Sequence, residues 1–452
     1  MKCEAVILAA GLGTRMNSSL PKVMHPLGGR PLLRWSFETC FAATDSPPTI
    51  VIGPESDQVR DLLPDAKFVL QEERLGTGHA VMQAAASLKG NADLILVANA
   101  DLPLFRPQSL LDLIEVQKDN RGPLSLLTAE SDVKRGFGRI VRDEKGRITD
   151  IVEQAHATPE QLDIRELNVG GYCFDAAWLW DHLPALKLSP KGEYYLTDLI
   201  ELAASDGLSI ASASVQTLDE MIGINTRAHL AEAEEALRKR INTMWMNQGV
   251  TMLNPATVYI ESDVTIGKDT VLLPHTYLQG MTTVGEGCTL GPSTVILDAT
   301  IGNECAIRMS VVEQAVVEDH VDIGPFGHLR KGAHLCEGVH MGNFGEVKNS
   351  TLKPGVKMGH FSYVGDSEVG EEANIGAGTV TCNFDGAEKH KTIVGERAFI
   401  GSGTMLVAPL EIGPDAKTGA GAVVTRDVEA GEVVAGVPAR PLRKNDREHS
   451  AE

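Results

Sequence analysis

The sequence predicts two architectures in series: a Rossmann-like α/β domain with a mostly parallel sheet and, after one long helix, a parallel β-helix of hexapeptide repeats. Three observations carry that prediction. Strand-like and helix-like patterns alternate up to about residue 220, an amphipathic stretch fills Thr226 to Gln248, and from Val264 onward an aliphatic residue followed by glycine returns at steps of six or near multiples of six. A chain of 452 residues is also about three times the ~150-residue prior for one domain, so at least two domains are expected.

In the first half, a strand at Ala5 to Ala10 precedes a helix over Leu32 to Ala43, Thr49 to Ile52 precedes Val59 to Leu63, and Asp93 to Ala98 precedes Leu110 to Val116. Ligands of such sheets sit beyond the carboxyl ends of the strands, which singles out the loops after Ala10 and Ala98. In the long helix Leu230, Ala233, Leu237, Ile241 and either Met244 or Trp245 form the apolar stripe, and the domain boundary falls near Gly249. The repeats run Ile266-Gly267, Val284-Gly285, Leu290-Gly291, Ile301-Gly302, Ile323-Gly324, Val364-Gly365, Val369-Gly370, Ile375-Gly376, Val394-Gly395, Ile400-Gly401 and Ile412-Gly413. Three six-residue units close one coil, with the aliphatic residue inward and its glycine expected to turn the corner. A glycine-rich β-sandwich would instead space its turns at about 8–12 residues. The step from Ile375 to Val394 is nineteen, so Thr381 to Thr392 is expected to loop out on the working face. The acidic tail after Arg443 is expected to be mobile.

Composition excludes several function classes. A net charge of −20 opposes binding to nucleic acid or anionic membrane, so any anionic substrate must meet local cations. No apolar run approaches the ~20 residues of a membrane span, and the expected location is cytoplasmic. Seven cysteines without a C-x-x-C pair argue against a disulfide framework and a structural zinc site.

Such cations follow the first strand. Gly11-Leu12-Gly13-Thr14-Arg15-Met16 and then Pro21-Lys22 lack the Gly-Lys-Ser/Thr ending of a Walker loop, and Met16 occupies the third glycine position of a dinucleotide fingerprint. The glycines still let backbone N–H groups approach phosphate oxygens, with Arg15 and Lys22 supplying charge. Asp101, just past the Ala98 strand, is a natural Mg²⁺ ligand bridging nucleotide phosphates. Gln71 with Gly76-Thr77-Gly78 opens a loop before a helix over His79 to Leu88 and is suited to holding a base. Among the repeats, Arg330, Glu346, Lys348, His360, Tyr363 and Asn374 cluster in a short stretch.

Leu8 to Met16 with Pro21-Lys22, Gln71 with Gly76 to Ala80, Asp101-Leu102-Pro103, Phe137 to Ile140, Ile151-Val152-Glu153, Asn168-Val169-Gly170 and Gly192 to Asp198 together resemble the sugar-nucleotidyltransferase family. With the hexapeptide half attached, nearly the whole chain is similar to the bifunctional family that joins an N-acetylglucosamine-1-phosphate uridylyltransferase to a glucosamine-1-phosphate acetyltransferase. The resemblance implies a nucleotidyltransferase domain over 1–224, a linker helix over 225–249 and a left-handed β-helix with acetyltransferase activity over 250–452. It assigns Leu8, Ala9, Ala10, Gly11, Gln71, Gly76 and Thr77 to the uridine nucleotide and Arg15 with Lys22 to its phosphates. Gly138, Glu153 and Asn168 fall at the sugar, Asn99 at the UDP-sugar without a finer assignment, and Asp101 with Asn225 at Mg²⁺. UTP is the nucleotide donor, and its α-phosphorus is attacked by the sugar phosphate.

For the second half the resemblance makes His360 the general base, a role suited to a residue type that titrates near pH ~6.5, with Glu346 orienting it. Arg330 and Lys348 would hold the sugar phosphate, and Tyr363 with Asn374 its ring. Acetyl-CoA is the donor, with Ala377, Asn383, Phe384, Ser402 and Ala420 at its binding positions and Arg440 at its phosphates. Phe384 replaces the usual tyrosine. Direct attack by the amine makes an acyl-Cys382 intermediate unnecessary. The resemblance further implies a homotrimer with acetyl sites shared between chains. One departure stands in the first site: Asn99-Ala100 precedes Asp101 where the family usually has glycine next to the aspartate, and the Ala100 methyl is expected to crowd the sugar or nucleotide. Two other readings remain: a nucleotidyltransferase with a non-catalytic β-helix, and an acetyltransferase whose first site is altered.

Overall fold

In the computed structural model the described residues are 1–54, 57–64, 66–132, 136–154 and 156–442, so the tail after Arg443 lies outside them. They form two compact units that part at Leu237 and Arg238, inside the long helix rather than at its end.

The first unit is built on strands β1 (Cys3–Leu8), β2 (Thr49–Ile52), β3 (Lys67–Leu70), β4 (Leu94–Asn99), β5 (Leu124–Glu130), β6 (Arg139–Arg142), β7 (Ile148–Val152), β8 (Glu166–Asp175) and β9 (Ile210–Ser214). The sheet order is β9-β5-β8-β4-β1-β2-β3, with the β6–β7 hairpin attached to β8. Its strands are parallel except β8, which runs antiparallel to β4 and β5, and the hairpin. Ala5, Ile7, Leu94 and Leu96 face one buried layer while Val6, Ile95 and Val97 face the other. Central strands buried on both faces therefore read as unbroken apolar runs. Helices α1 (Leu32–Thr44), α2 (Thr77–Gln83) and α3 (Pro107–Asp119) cover the sheet close to where the sequence places them.

Helix α4 (Arg227–Asn247) buries Ala233, Leu237, Ile241 and Trp245 and leaves Met244 exposed, which settles the stripe's last member. Asn242 is also buried, its amide nitrogen donating to the carbonyls of Pro255 and Val258 at 2.8 and 3.0 Å, a polar contact that apolar periodicity does not reveal.

The second unit is the left-handed parallel β-helix. Its described strands stack on three faces of 12, 10 and 9 strands. The first face begins at Thr251–Met252, the second at Tyr259–Ile260 and the third at Thr265–Ile266. The pairing of Val271 with Thr289 and of Thr283 with Thr300 shows how each coil returns the chain one rung further along. The aliphatic residues of the repeat point inward as expected, with Ile301, Ile400 and Ile412 all buried.

The glycine that follows has a different reason from the one expected. Gly267, Gly285, Gly302, Gly395 and Gly413 keep ordinary backbone angles, whereas corner positions such as Asp269, Glu304 and Asp415 carry positive φ. A Cβ on Gly395 would lie 2.5 Å from the Pro414 nitrogen, so glycine lets successive coils approach rather than turn. Left-handed glycine occurs at Gly291 and Gly324, each before a proline. The insertion is also shorter than expected: Thr381 and Thr392 stay buried in strands of the coil, and the residues between them are pinned by a Phe384–Lys389 bridge.

Gly395→Ala should therefore cost roughly 1–3 kcal/mol, read as a lower denaturant midpoint of the β-helix transition at unchanged slope.

Candidate functional site

Two constellations form, one in each unit. In the first, β1 and β4 are adjacent with Leu8 opposite Asn99, so the glycine loop and the Asp101 loop open on the same sheet edge. Between them lies a cavity of about 530 Å³ lined by Ala9, Ala10, Gly11, Lys22, Gln71 and Gly76. A second cavity, about 730 Å³, is lined by Gly138, Glu153, Asn168 and Asn225, and Leu8, Arg15, Thr77, Asn99, Asp101 and Tyr195 line both.

The charged groups meet at that shared wall. Lys22 Nζ lies 2.8 Å from Asp101 Oδ2 and donates to Asn225 Oδ1 at 3.2 Å, while Arg15 donates to the same Asn225 oxygen at 3.0 Å. Two hard oxygen donors thus converge beside two cations. The Lys22 side chain is 11 % exposed, so its charge acts in a partly dehydrated setting where Coulomb forces are strong.

The Gln71 end of the smaller cavity is held from behind. Gln71 is buried, its amide donating to the Gly76 carbonyl at 3.0 Å and lying 3.1 Å from His79 Nδ1. Gly76 has φ +95°, and any Cβ there would meet the Tyr194 backbone. Thr77 Oγ1 accepts from Leu196 N–H, and Gly78 N–H donates to the Tyr194 carbonyl. That explains the Gly192 to Asp198 motif: it buttresses the glycine turn. Arg74, which the sequence reading passed over, donates to the Ala10 carbonyl at 2.8 Å and fixes the first loop.

In the larger cavity, Asn168 donates to Tyr172 Oη at 2.8 Å and accepts from Gly170 N–H. A Cβ on Gly138 would lie 2.6 Å from an Ile151 methyl, which gives that glycine a steric reason. Desolvation raises the Glu153 pKa against the opposing charges of His156, Arg139 and Lys191. Asn99 faces the cavities and donates to the Gly170 carbonyl at 3.3 Å. Ala100 does not: it is 1 % exposed and packs in the apolar layer with Leu102 and Phe105. The expected crowding by its methyl is therefore corrected: Ala100, in the turn just past the end of β4, packs its methyl into the core.

In the β-helix, register assembles the second constellation. On the second face His328, Glu346, Tyr363 and Val380 occupy one rung line, and Lys348 pairs with Gly365 beside it. Arg330 Nη1 lies 2.8 Å from Glu346 Oε1. Lys389, missed by the sequence reading, approaches Lys348, and a side-chain hydrogen bond with it, then its charge and that of Arg330, push the Lys348 ammonium below its usual range. Its position in the insertion lies off the hexapeptide period, so no spacing argument reaches it. Asp366 anchors that insertion by accepting from Asn349 and Asn383. Burial opposes its ionisation, yet those bonds and the Lys389 and Lys348 charges hold its carboxyl below the usual range. Tyr363 lies along its own strand, filling the space a Gly365 side chain would need.

His360 stands at the corner leading into the second face, exposed and without a hydrogen-bond partner among the described residues. A column runs down this corner: Gly378 N–H donates to the Phe361 carbonyl, Gly403 N–H to Ala377 and Gly421 N–H to Ser402. Ala377, Ser402 and Ala420 therefore continue the line that starts beside His360. Arg440 pairs with Ala435, which borders Gly419, so it lies two strands past the Ala420 coil. Phe384 is exposed at the insertion. The structure does not bring every candidate onto one face: Asn374 lies on the first face, Tyr363 on the second.

Together, the phosphate-suited loop of an α/β sheet and the hexapeptide coil define a nucleotidyltransferase domain joined to an acyltransferase-type β-helix. Residues 5–187 match the MobA-like NTP transferase domain and residues 391–426 the hexapeptide repeat of succinyl-transferase. The chain is 41 % identical over 95 % of its length to the bifunctional protein GlmU of Pelobacter propionicus, covering 94 % of that protein. It is 43 % identical to that of Heliobacterium modesticaldum and 42 % to that of Streptococcus agalactiae, covering 95 % and 96 % of this chain and 94 % and 95 % of those proteins. The chain belongs to the GlmU family of bifunctional proteins.

If Arg330, Lys348 and Lys389 form an anion site, inorganic phosphate at tenfold its Kd should stabilise the β-helix by about 1.4 kcal/mol, and Lys389→Ala should abolish most of that gain in a thermal melt. Ala100→Gly, by contrast, should leave first-site kinetics unchanged.

Proposed function

We propose that the chain makes UDP-N-acetylglucosamine in two steps: acetyl transfer from acetyl-CoA to glucosamine-1-phosphate on the β-helix, then uridylyl transfer from UTP on the α/β unit. The observation that carries this reading is the pair of separate cation clusters, Arg15 with Lys22 and Arg330 with Lys348 and Lys389, on a body of net charge −20. A scaffold-only β-helix gives no reason for three like charges to crowd on one face, since exposed like charges repel.

In the first step His360 takes a proton from the substrate amine as nitrogen attacks the thioester carbonyl, and the coenzyme leaves as its thiol. Arg330, Lys348 and Lys389 hold the phosphate, and Tyr363 lies along the face between. The coenzyme follows the corner column of Ala377, Ser402 and Ala420, with Asn383, Phe384 and Arg440 beside it. Because Asn374 and Tyr363 lie on different faces, a neighbouring chain completes the ring site, consistent with a homotrimer.

In the second step the sugar phosphate oxygen attacks the α-phosphorus of UTP and pyrophosphate departs. The nucleophile is already an anion, so Arg15 and Lys22 act by charge and position. Asp101 and Asn225 are the residues that would hold Mg²⁺, whose oxygen preference they meet. That ion supplies further neutralisation of phosphate charge when bound. Leu8 to Gly11, Gln71, Gly76 and Thr77 hold the nucleotide, and Asn99, Gly138, Glu153 and Asn168 the sugar. A cytoplasmic location belongs to the same reading: all seven cysteines are free thiols, as a reducing compartment keeps them. Among the described residues no helix is long and apolar enough to cross a membrane.

One preparation given glucosamine-1-phosphate, acetyl-CoA, UTP and Mg²⁺ should release both thiol and pyrophosphate. His360→Ala should slow thiol release by about 10²–10⁴-fold while pyrophosphate formation from supplied N-acetylglucosamine-1-phosphate persists. Asp101→Asn should do the reverse. Thiol release undiminished in His360→Ala contradicts the base assignment.

A further inference from the structure

The third face of the β-helix carries a group of side chains that neither reaction uses. His334 and Cys336 flank the inward Leu335 on one strand, and Glu318 stands on the preceding coil where Val317 pairs with Leu335. His334 Nε2 lies 2.7 Å from Glu318 Oε1 and 3.9 Å from Cys336 Sγ, and the donor atoms of all three fall within 4.8 Å of one another. The second Glu318 oxygen is held by Glu337 N–H at 3.0 Å, which fixes the carboxylate's orientation.

The geometry points to a divalent transition-metal site here, Zn²⁺ being the ion its nitrogen, sulfur and carboxylate donors suit best. Tetrahedral bonds of about 2.0–2.3 Å place ligand atoms roughly 3.3–3.8 Å apart, so the 3.9 Å between His334 Nε2 and Cys336 Sγ must close by a few tenths of an ångström. The His334–Glu318 contact must open by about half an ångström, and both side chains are more than a third exposed and free to do so. Binding replaces the Cys336 S–H bond with a sulfur–metal bond, the proton passing to solvent. Three protein ligands leave the fourth position to water on an open face. The ion would tie two coils together, with donors drawn from two successive turns of the solenoid, a pattern that a search for C-x-x-C pairs does not register.

The full-length protein titrated with Co²⁺ tests this. The expected result is a thiolate-to-cobalt charge-transfer band with tetrahedral visible bands, saturating at one equivalent per chain and displaced by Zn²⁺. Cys336→Ser should remove the charge-transfer band, and His334→Ala and Glu318→Gln should each weaken binding by about tenfold or more. Should Cys336→Ser fail to fold, the partly exposed Glu318 carries the test. A band that survives Cys336→Ser in folded protein, undiminished affinity in Glu318→Gln, or no thiolate band at millimolar Co²⁺ would overturn the site.

Discussion

Coil-on-coil stacking is the constraint on which the rest of the second unit depends. Strands pair at about 4.8 Å, so residues some seventeen or eighteen positions apart in sequence become neighbours in space. The spacing leaves no room for a Cβ at Gly267, Gly285 or Gly395, and Ile301 on the third face and Ile400 on the first are both buried. The same stacking places Lys348 beside the Gly365 rung and Glu346 beside Tyr363. Chemistry on this face is a by-product of register.

The α/β unit reaches a comparable end by other means. Its two cavities depend on strands that end side by side, so a glycine loop and an acidic loop share one edge. The supporting contacts lie behind the cavity: Arg74 on the Ala10 carbonyl, Gln71 on Gly76, and the Tyr194 backbone against Gly76 and Gly78. Few of these side chains would touch a ligand, yet they set where ligand-facing atoms stand.

What the sequence makes legible follows from what is periodic or local. The inward aliphatics, the amphipathic helix and the glycine loop all announce themselves by spacing. The glycine of the repeat is visible but its reason is not, because a missing Cβ looks the same whether it serves a left-handed turn or a close approach to the next coil. Lys389 escapes because a hairpin-like insertion, not the period, delivers it to Lys348. Ala100 misleads because its neighbours Asn99 and Asp101 face the cavity while the turn after β4 sends its methyl into the core. The antiparallel course of β8 leaves no mark in an apolar pattern that reads alike in either direction.

The central claim is that register and insertion together build one anion-holding end on the second face, with the base at the corner where that face begins. A diffraction map from crystals soaked in glucosamine-1-phosphate tests it most directly. The account predicts phosphate density within hydrogen-bond reach of Arg330, Lys348 and Lys389, and the amine directed to a His360 of the same chain or its neighbour. Phosphate bound elsewhere, with those three cations facing solvent, would contradict it.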